Sequence, residues 1–366
     1  MKNLNLIDKF LFLVNSVIAL LTLISYLNPY ISPELFWPLS LVGLMFPYLI
    51  ALNILFTTYW TFKLKPHLIL SIISISIGYK QVKTLLPLNN DSNTKTDNSI
   101  KVMSYNVRLF DVYNWSNNKQ TKDSILNFLE KEGPDIACFQ EFYYAQGIKG
   151  FNIKNKIGQK LAAKNKHIET IKYLENGHQY FSIATYSKYK ILNKGKITFK
   201  NNKSNLCIYT DILFKKDTIR IYNAHLASIH LGYDDYNFID SVVVKDSKTQ
   251  IKGLKNITKQ LKKAFIKRAP QAEEIQNHIR KSPYPVILCV DMNDTPNSYS
   301  YTTIKNNLKD AFNYKGKGIG NTYNGRFPGV RIDYIFYSDD FNCSNLETIS
   351  VPYSDHYPIS AKLHKN

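Results

Sequence analysis

In the later part of this chain, short apolar runs repeatedly end on, or open with, a side chain that can hold a metal ion or a phosphate. Ile100–Asn106 ends at Asn106 in Met-Ser-Tyr-Asn, and Asp135–Glu141 ends at Glu141 in Cys-Phe-Gln-Glu. Thr218–His225 ends at His225 in Tyr-Asn-Ala-His, and Pro285–Asp291 ends at Asp291, followed by Asn293 and Asp294. Asp333 lies early in Arg331–Tyr337, and Asp355 and His356 stand just before Ile359–Leu363. Strand ends at one edge of a sheet converge in space, and loops on a rigid scaffold are where catalytic groups sit. Singly, each residue has a blander reading. Glu141 could be a solvated strand end, His225 a satisfied and partly buried histidine, and Asp291-x-Asn293-Asp294 before Pro296 a turn. Their shared position relative to the apolar runs carries the argument.

The elements that must position these groups are mostly strands. Phe181–Thr185 and Asn205–Phe214 complete a set of eight strand-like runs with those above. Lys122–Lys131 reads as a helix with Ile125, Phe128 and Leu129 on one face. Val244–Lys281 reads as mostly helical and very basic, with an apolar stripe of Ile251, Leu254, Ile257, Leu261 and Phe265. Lys245, Lys248, Lys252, Lys255, Lys259, Lys262, Lys263 and Lys267 crowd it, as a solvated face or as a contact for substrate or bilayer. Many strands with inserted helices make residues 99–366 an α+β or layered α/β domain. Formal net charge is +19, of which only about +3 falls on residues 1–98. Such a Lys-rich surface suits polyanions, nucleic acid or anionic head groups, or simply maintains solubility. Cys138, Cys207 and Cys289 sit inside apolar runs and, with Cys343, form no C-x-x-C pair, which argues against a zinc site or a disulfide framework.

Residues 1–88 read as a transmembrane region with runs over about 10–27, 35–62 and 67–86. The first two reach the roughly 20 apolar residues that a spanning helix needs, and the third is marginal. Pro38 and Pro47 are tolerated in a membrane helix. Trp37, Tyr48, Tyr59 and Trp60 include interface anchors. Lys2 and Lys9 precede the first run, and Lys63 and Lys65 lie between the second and third, so the N-terminus is placed in the cytoplasm. Three crossings make a multi-pass protein with residues 99–366 extracytoplasmic. If the third run, with Lys80 and Lys83, does not cross, they face the cytoplasm. Residues 89–98 form a polar linker.

Taken in order, the strand-end motifs resemble the endonuclease/exonuclease/phosphatase, or DNase I-like, superfamily across nearly all of residues 99–366. Asn106 resembles its first-strand Asn, Glu141 its metal-binding Glu, and His225 its phosphate-contacting His. Asp291 and Asn293 resemble its Gly-Asp-x-Asn signature, and Asp333 and Ser354-Asp355-His356 its last two motifs. Val290 replaces the signature glycine and Met292 its usual aromatic, and Arg108 stands where some nucleolytic members carry an acid. The resemblance implies a four-layer α/β/β/α sandwich with the site at one sheet edge. It also implies metal-dependent hydrolysis of a phosphate ester, a phosphodiesterase or nuclease-type activity. Oxygen ligands without a cysteine cluster suit Mg²⁺ or Mn²⁺. Glu141 would be the main metal ligand, with Asn106 and Asp355 beside it. Asp291 and Asn293 would orient water and phosphate. His225 and His356 would donate to phosphate oxygens, with Asp333 paired to His356. Whether Asp291 or His356 takes the water's proton stays open. The alternatives are a phosphomonoesterase or phospholipid phosphodiesterase, an inactive polyanion-binding membrane scaffold, and a transporter formed by the N-terminal helices. The last finds no charged residue mid-span in the first two runs. The implied partners are a phosphate-ester substrate and the membrane; no protein partner is indicated.

Overall fold

The computed structural model describes residues 5–87, 89, 99–146, 151–174, 178–200, 204–229, 247–325 and 329–366. The expected linker, apart from Asn89, lies outside the described residues, as do Val244 and Lys245.

The N-terminal part is helical. Helix α1 (Leu6–Ser25) starts where the Asn5 side chain accepts from the Asp8 N–H at 2.7 Å. Then come α2 (Pro33–Phe36), α3 (Pro38–Leu44), α4 (Phe46–Phe62), α5 (Leu68–Ile77) and α6 (Tyr79–Leu85). The stretch Leu6–Tyr30 is long and apolar enough to cross a membrane. The other two runs are not the continuous helices expected. The α3–α4 pair bends by 55° and the α5–α6 pair by 77°. Pro38 and Pro47 each sit in the first turn of a new helix, because a proline ring cannot follow a helical turn without clashing with the carbonyl four residues back. At the second bend a Cβ on Gly78 would come within 1.9 Å of the Tyr26 ring, so the close approach of that ring needs glycine.

Helices α1, α4 and α5 pack with their polar residues inward. Ser71 Oγ donates to Asn15 Oδ1 (2.8 Å), Asn53 Nδ2 to Thr22 Oγ1 (2.8 Å), Ser74 Oγ to Asn53 Oδ1 (3.1 Å) and Tyr26 OH to the Ser74 carbonyl (2.8 Å). Leu13, Val17, Leu20, Leu55, Ile69 and Ile73 point outward.

From Ser99 onward the chain builds two mixed six-stranded sheets. The first comprises β1 (Ser99–Asn106), β2 (Ile136–Ala145), β3 (Asn165–Leu174), β4 (Gln179–Ser187), β11 (Phe341–Thr348) and β12 (Ile359–Lys365), in the order β11-β12-β1-β2-β4-β3. The second comprises β5 (Lys190–Thr198), β6 (Leu206–Phe214), β7 (Asp217–His225), β8 (Val286–Asp291), β9 (Lys309–Asp310) and β10 (Asp333–Tyr337), in the order β5-β6-β7-β8-β10-β9. Helices α7 (Thr121–Glu132) and α8 (Ile153–Lys160) cover the first sheet. Helices α9 (Ser247–Ile279) and α10 (Tyr299–Lys305) cover the second, and α11 (Ala311–Lys315) lies beside β10. This is the expected four-layer arrangement.

Strand periodicity explains where the site falls. Successive side chains point to opposite faces, so alternate residues of each inner strand fill the space between the sheets. That core contains Ile100 and Val102 of β1, Ile136 and Cys138 of β2, Ile219 and Ile221 of β7, Ile287 and Cys289 of β8, and Ile335 of β10. Carried to the strand ends, the same alternation turns polar at Asn106, Gln140, Asn223, His225, Asp291 and Asp333. Side-chain hydrogen bonds then tie the sheets together there. Asn106 Nδ2 donates to Asp291 Oδ2 (2.8 Å), and Gln140 Nε2 donates to Asn223 Oδ1 (2.8 Å). Asn223 Nδ2 also donates to the Ala184 carbonyl at 2.9 Å. Truncating Asn223 to Ala strands these buried partners, at a cost of about 1–3 kcal/mol. Denaturant unfolding of the detergent-solubilised chain checks this; a loss below about 0.5 kcal/mol, the range of a surface change, would contradict it.

Candidate active site

Register places the polar row. His225 pairs with Asp291 across the parallel β7–β8 ladder, and Asp291 pairs with Asp333 across the antiparallel β8–β10 ladder. On the first sheet Asn106 pairs with Gln140. Glu141 would point toward the helices if β2 kept its alternation. Instead the β2–β4 register shifts between Phe139 and Phe142, and Glu141 has a φ of 49°. This bulge lets Phe139 and Phe142 both pack under the helices while Glu141 turns to the sheet edge, a use of bulges found next to active sites.

Asp291 is the hub and is fully buried. Its Oδ2 accepts from Asn106, and its Oδ1 accepts from the Asn293 N–H at 3.0 Å. Asn293, at a φ of 53°, also donates from Nδ2 to the Leu226 carbonyl at 3.2 Å. His225 Nε2 lies 3.5 Å from Asp291 Oδ2 and 3.9 Å from Glu141 Oε1, and it is buried without a hydrogen-bond partner among the described residues. His356 Nδ1 bonds Asp333 Oδ2 at 2.9 Å and lies 3.9 Å from Asp291 Oδ2. The Thr322 hydroxyl accepts from the Ile332 and Asp333 N–H groups, both at 3.0 Å, and so fixes the start of β10. Ser354 Oγ donates to the Asn106 carbonyl (2.8 Å) and accepts from the His356 N–H (3.2 Å), which docks the Ser354–His356 loop onto β1.

Burial opposes charge on the His356 ring. The carboxylates of Asp333 and Asp291 outweigh it and hold His356 well above the ordinary imidazole range, which favours the protonated ring. Burial likewise pushes the Glu141 carboxyl up. His225 pulls against this, while Asp355 and Asp291 push the same way. Glu141 is about a third exposed, with no hydrogen bond among the described residues.

Asp291, Asp333 and His356 could offer ligand atoms all within 4.8 Å of one another. In that group, however, His356 Nδ1 is taken up by its hydrogen bond to Asp333. The donor chemistry at the mouth fits a hard divalent ion better. There the Asp355 carboxylate adds to the burial that raises Glu141, a repulsion that a cation bound between them would relieve. Asn106 has Oδ1 accepting from the Arg108 N–H at 3.0 Å, which leaves one lone pair for a ligand.

All eight residues singled out in the sequence, Asn106, Glu141, His225, Asp291, Asn293, Asp333, Asp355 and His356, thus lie in or beside one cluster. Others came only with the fold. Arg108 Nε lies 3.3 Å from Asp355 Oδ2, and its guanidinium stacks 4.8 Å over the Trp115 ring. Gln140 and Asn223 each adjoin a recognised motif, and that proximity was their only signal. Arg268 pairs with Asp294 at 3.0 Å and donates to the Ala227 carbonyl at 2.9 Å, fastening α9 to the loops after His225 and Asp291.

Comparison with known proteins gives two family matches. Residues 8–85 match a "Domain of unknown function (DUF8431)", and residues 103–356 match the "Endonuclease/Exonuclease/phosphatase family". No curated protein matches the chain. Among solved structures, the human nocturnin catalytic domain with bound sulfate is 17% identical, with a TM-score of 0.52 over 74% of this chain and 94% of that one. Humanized D. rerio TDP2 is 16% identical, with a TM-score of 0.51 over 73% and 99%. The mannosyl-6-phosphatase Bt3783 of Bacteroides thetaiotaomicron is 18% identical, with a TM-score of 0.51 over 72% and 99%. At such identities the likeness is one of fold. The family match runs from β1 to His356 and encloses every group gathered at the sheet edge, so the chain belongs to the endonuclease/exonuclease/phosphatase family.

Proposed function

We propose that this chain is a membrane-anchored, divalent-metal-dependent phosphoester hydrolase, acting as a phosphodiesterase. The observation that carries the reading is the single cluster of Glu141, Asp355, Asp291, His225 and the Asp333–His356 pair at one sheet edge. Three neighbours of this fold, nocturnin, TDP2 and a mannosyl-6-phosphatase, support phosphoester hydrolysis in general; they do not separate diester from monoester.

Glu141 and Asp355, with Asn106 Oδ1, would hold Mg²⁺ or Mn²⁺. When bound, the ion offsets phosphate charge and stabilises the leaving oxygen. Asp291 accepts from Asn106 and from the Asn293 N–H, which fixes its direction and suits it to position the attacking water and take its proton. The Asp333 and Asp291 carboxylates favour the charged form of His356, which suits it to donate rather than to serve as that base. It keeps Nε2 for a non-bridging phosphate oxygen, while Asp333 holds Nδ1. His225 Nε2, unpartnered at the cleft, is a second contact for phosphate. Such preset donors favour the charge that develops as the P–O bond to the leaving group breaks.

The anchor reading rests on the inverted bundle. Leucine and isoleucine outward with asparagine and serine inward is the pattern a helix bundle adopts in lipid. If α1 crosses, the α3–α4 and α5–α6 pairs packed alongside it cross too, making a multi-pass anchor. Tyr59 OH donates to Asp8 at 2.6 Å and Lys63 lies 3.7 Å from Asp8, so Lys9, Lys63 and Lys65 share one end. At the other end Asn28 Nδ2 donates to the Asn297 carbonyl (2.5 Å), and Asn297 Nδ2 donates to the Ser25 carbonyl (3.1 Å). The catalytic part would therefore lie opposite the lysine-marked end, outside the cytoplasm.

Hydrolysis of a bis-nitrophenyl phosphate reporter should require Mg²⁺ or Mn²⁺ and stop with EDTA. Glu141→Gln should lower turnover by about 100-fold or more. The folded state raises the Glu141 pKa, so ionising this group costs stability, and Gln should leave the melting midpoint unchanged or higher at neutral pH. Full activity in EDTA would sink the assignment. A panel of plasmid DNA, RNA, sphingomyelin, phosphoinositides and phosphomonoesters then separates diesterase from monoesterase.

A second test concerns the Asp333–His356 pair. Asp333→Asn removes the charge that raises His356, so the ring loses its proton at lower pH and the alkaline limb of the pH–rate profile moves down. Combined with His356→Ala it should add little further loss, because the two act as one unit. Multiplicative losses would show independent action.

A phosphatase reporter fused after residue 366 should be active outside the cytoplasm. Activity only from a cytoplasmic fluorescent fusion would reverse the topology.

A further inference from the structure

We propose that the first half of α9 is an interfacial helix that lies on the anionic surface of the same bilayer that holds α1; this rests on the membrane reading above. Helix α9 is long, yet only its second half packs into the enzyme. Ala264, Phe265, Ala269, Ala272 and Ile275 are buried, whereas no residue from 250 to 263 is. Over those residues the sequence stays amphipathic. A period of 3.6 puts Ile251, Leu254, Leu261 and Phe265 along one stripe and Lys252, Lys259 and Lys263 on the other side. The stripe leaves the protein's edge uncovered: Phe265 is buried and Leu261 half-buried, while Ile251 and Leu254 are 53% and 58% exposed. No acid occurs from Ser247 to Ala272.

Two observations commit this face to lipid. The helix reaches the bundle, where Lys262 Nζ lies 5.1 Å over the ring of Trp37, between α2 and α3 at the end of the bundle that meets the catalytic part. Beside it Leu35 and Phe36 are 83% and 55% exposed, so an apolar rim runs from the bundle to α9. A basic amphipathic helix continuous with such a rim has the composition of a membrane-surface helix, with apolar side chains at the acyl boundary and lysines reaching lipid phosphates. Arg268 on the same helix fastens the loops after His225 and Asp291, so the helix would hold the catalytic cleft beside the bilayer surface.

The four native cysteines are buried, so a new surface cysteine can be labelled selectively. The full chain carrying Leu254→Cys, or Leu20→Cys in α1 as the membrane control, is labelled with an environment-sensitive fluorophore. Each is reconstituted in nanodiscs of phosphatidylcholine with or without phosphatidylglycerol, and spin-labelled lipid serves as quencher. The expected result is that the residue-254 label loses most of its emission to the lipid quencher in phosphatidylglycerol discs. That loss should be small in pure phosphatidylcholine and should disappear when Lys252, Lys255, Lys259 and Lys263 are changed to Gln. The residue-20 label should be quenched in every disc. A residue-254 label that stays open to iodide while the residue-20 label is quenched overturns this proposal and leaves the anchor standing. If neither label is quenched, both fall. Protection of residue 254 by added polynucleotide, or by a cross-linked second copy, in place of lipid, also overturns it.

Discussion

The hydrogen bonds that cross between the two sheets at their polar edge are what the rest of the site depends on. Asn106 to Asp291 and Gln140 to Asn223 join strands from different sheets, at the point where the core between them turns from Ile, Val and Cys to amides and carboxylates. An apolar contact there would hold the sheets together but leave Asp291 free to rotate. The amide fixes the carboxylate's direction, and Asn293 and His225 are arranged around that fixed group. The same row of bonds makes the edge costly to disturb, because each partner is buried and loses water without replacement if the other is removed.

Charge is divided across the cluster by depth. Deep in the edge, Asp333 and Asp291 keep a proton on His356 against the penalty of burial. Nearer the solvent, the Glu141 side chain has no hydrogen bond among the described residues, and its pKa is raised by burial and by Asp355 and Asp291. One half holds a positive group of its own, and the other favours an added cation. Arg108, where some relatives in the superfamily carry an acid, adds positive charge beside Asp355 and is braced by Trp115. This mouth therefore differs from an all-acidic one in the balance it offers to an anionic substrate.

The N-terminal helices are not a loosely tethered addition. Asn28 donates to the Asn297 carbonyl and Asn297 to the Ser25 carbonyl across the seam, and Asn297 belongs to the loop that begins at Asp291. Arg331, just ahead of Asp333, donates to the Thr84 carbonyl (3.1 Å) and pairs with buried Asp310 (2.6 Å). The loops that carry two catalytic candidates are thus also the loops that touch the helices, so the orientation of the cleft relative to the bundle is set by short, buried contacts.

The inner strands were legible in the sequence because each alternates apolar residues with residues that face a helix, and then stops at a polar end. The strands the sequence did not reveal, β3, β5, β9 and β11, are the four sheet edges, where one side has no neighbour. β3 and β5 are mostly exposed and carry no firm alternation. The N-terminal apolar runs were legible by composition, but their bends at Pro47 and Gly78 follow from backbone clashes and from the Tyr26 ring, which no window average contains. Residue types and order alone therefore determined the family, the four layers and the eight polar candidates. The tertiary structure decided which way each one faces. Glu141 reaches the edge only through a bulge in β2, Asp291 is aimed by an amide from the other sheet, and the charged form of His356 is favoured, against burial, because folding brings Asp333 within 2.9 Å. Direction and protonation depend on neighbours far away in sequence, and only folding brings those neighbours into contact.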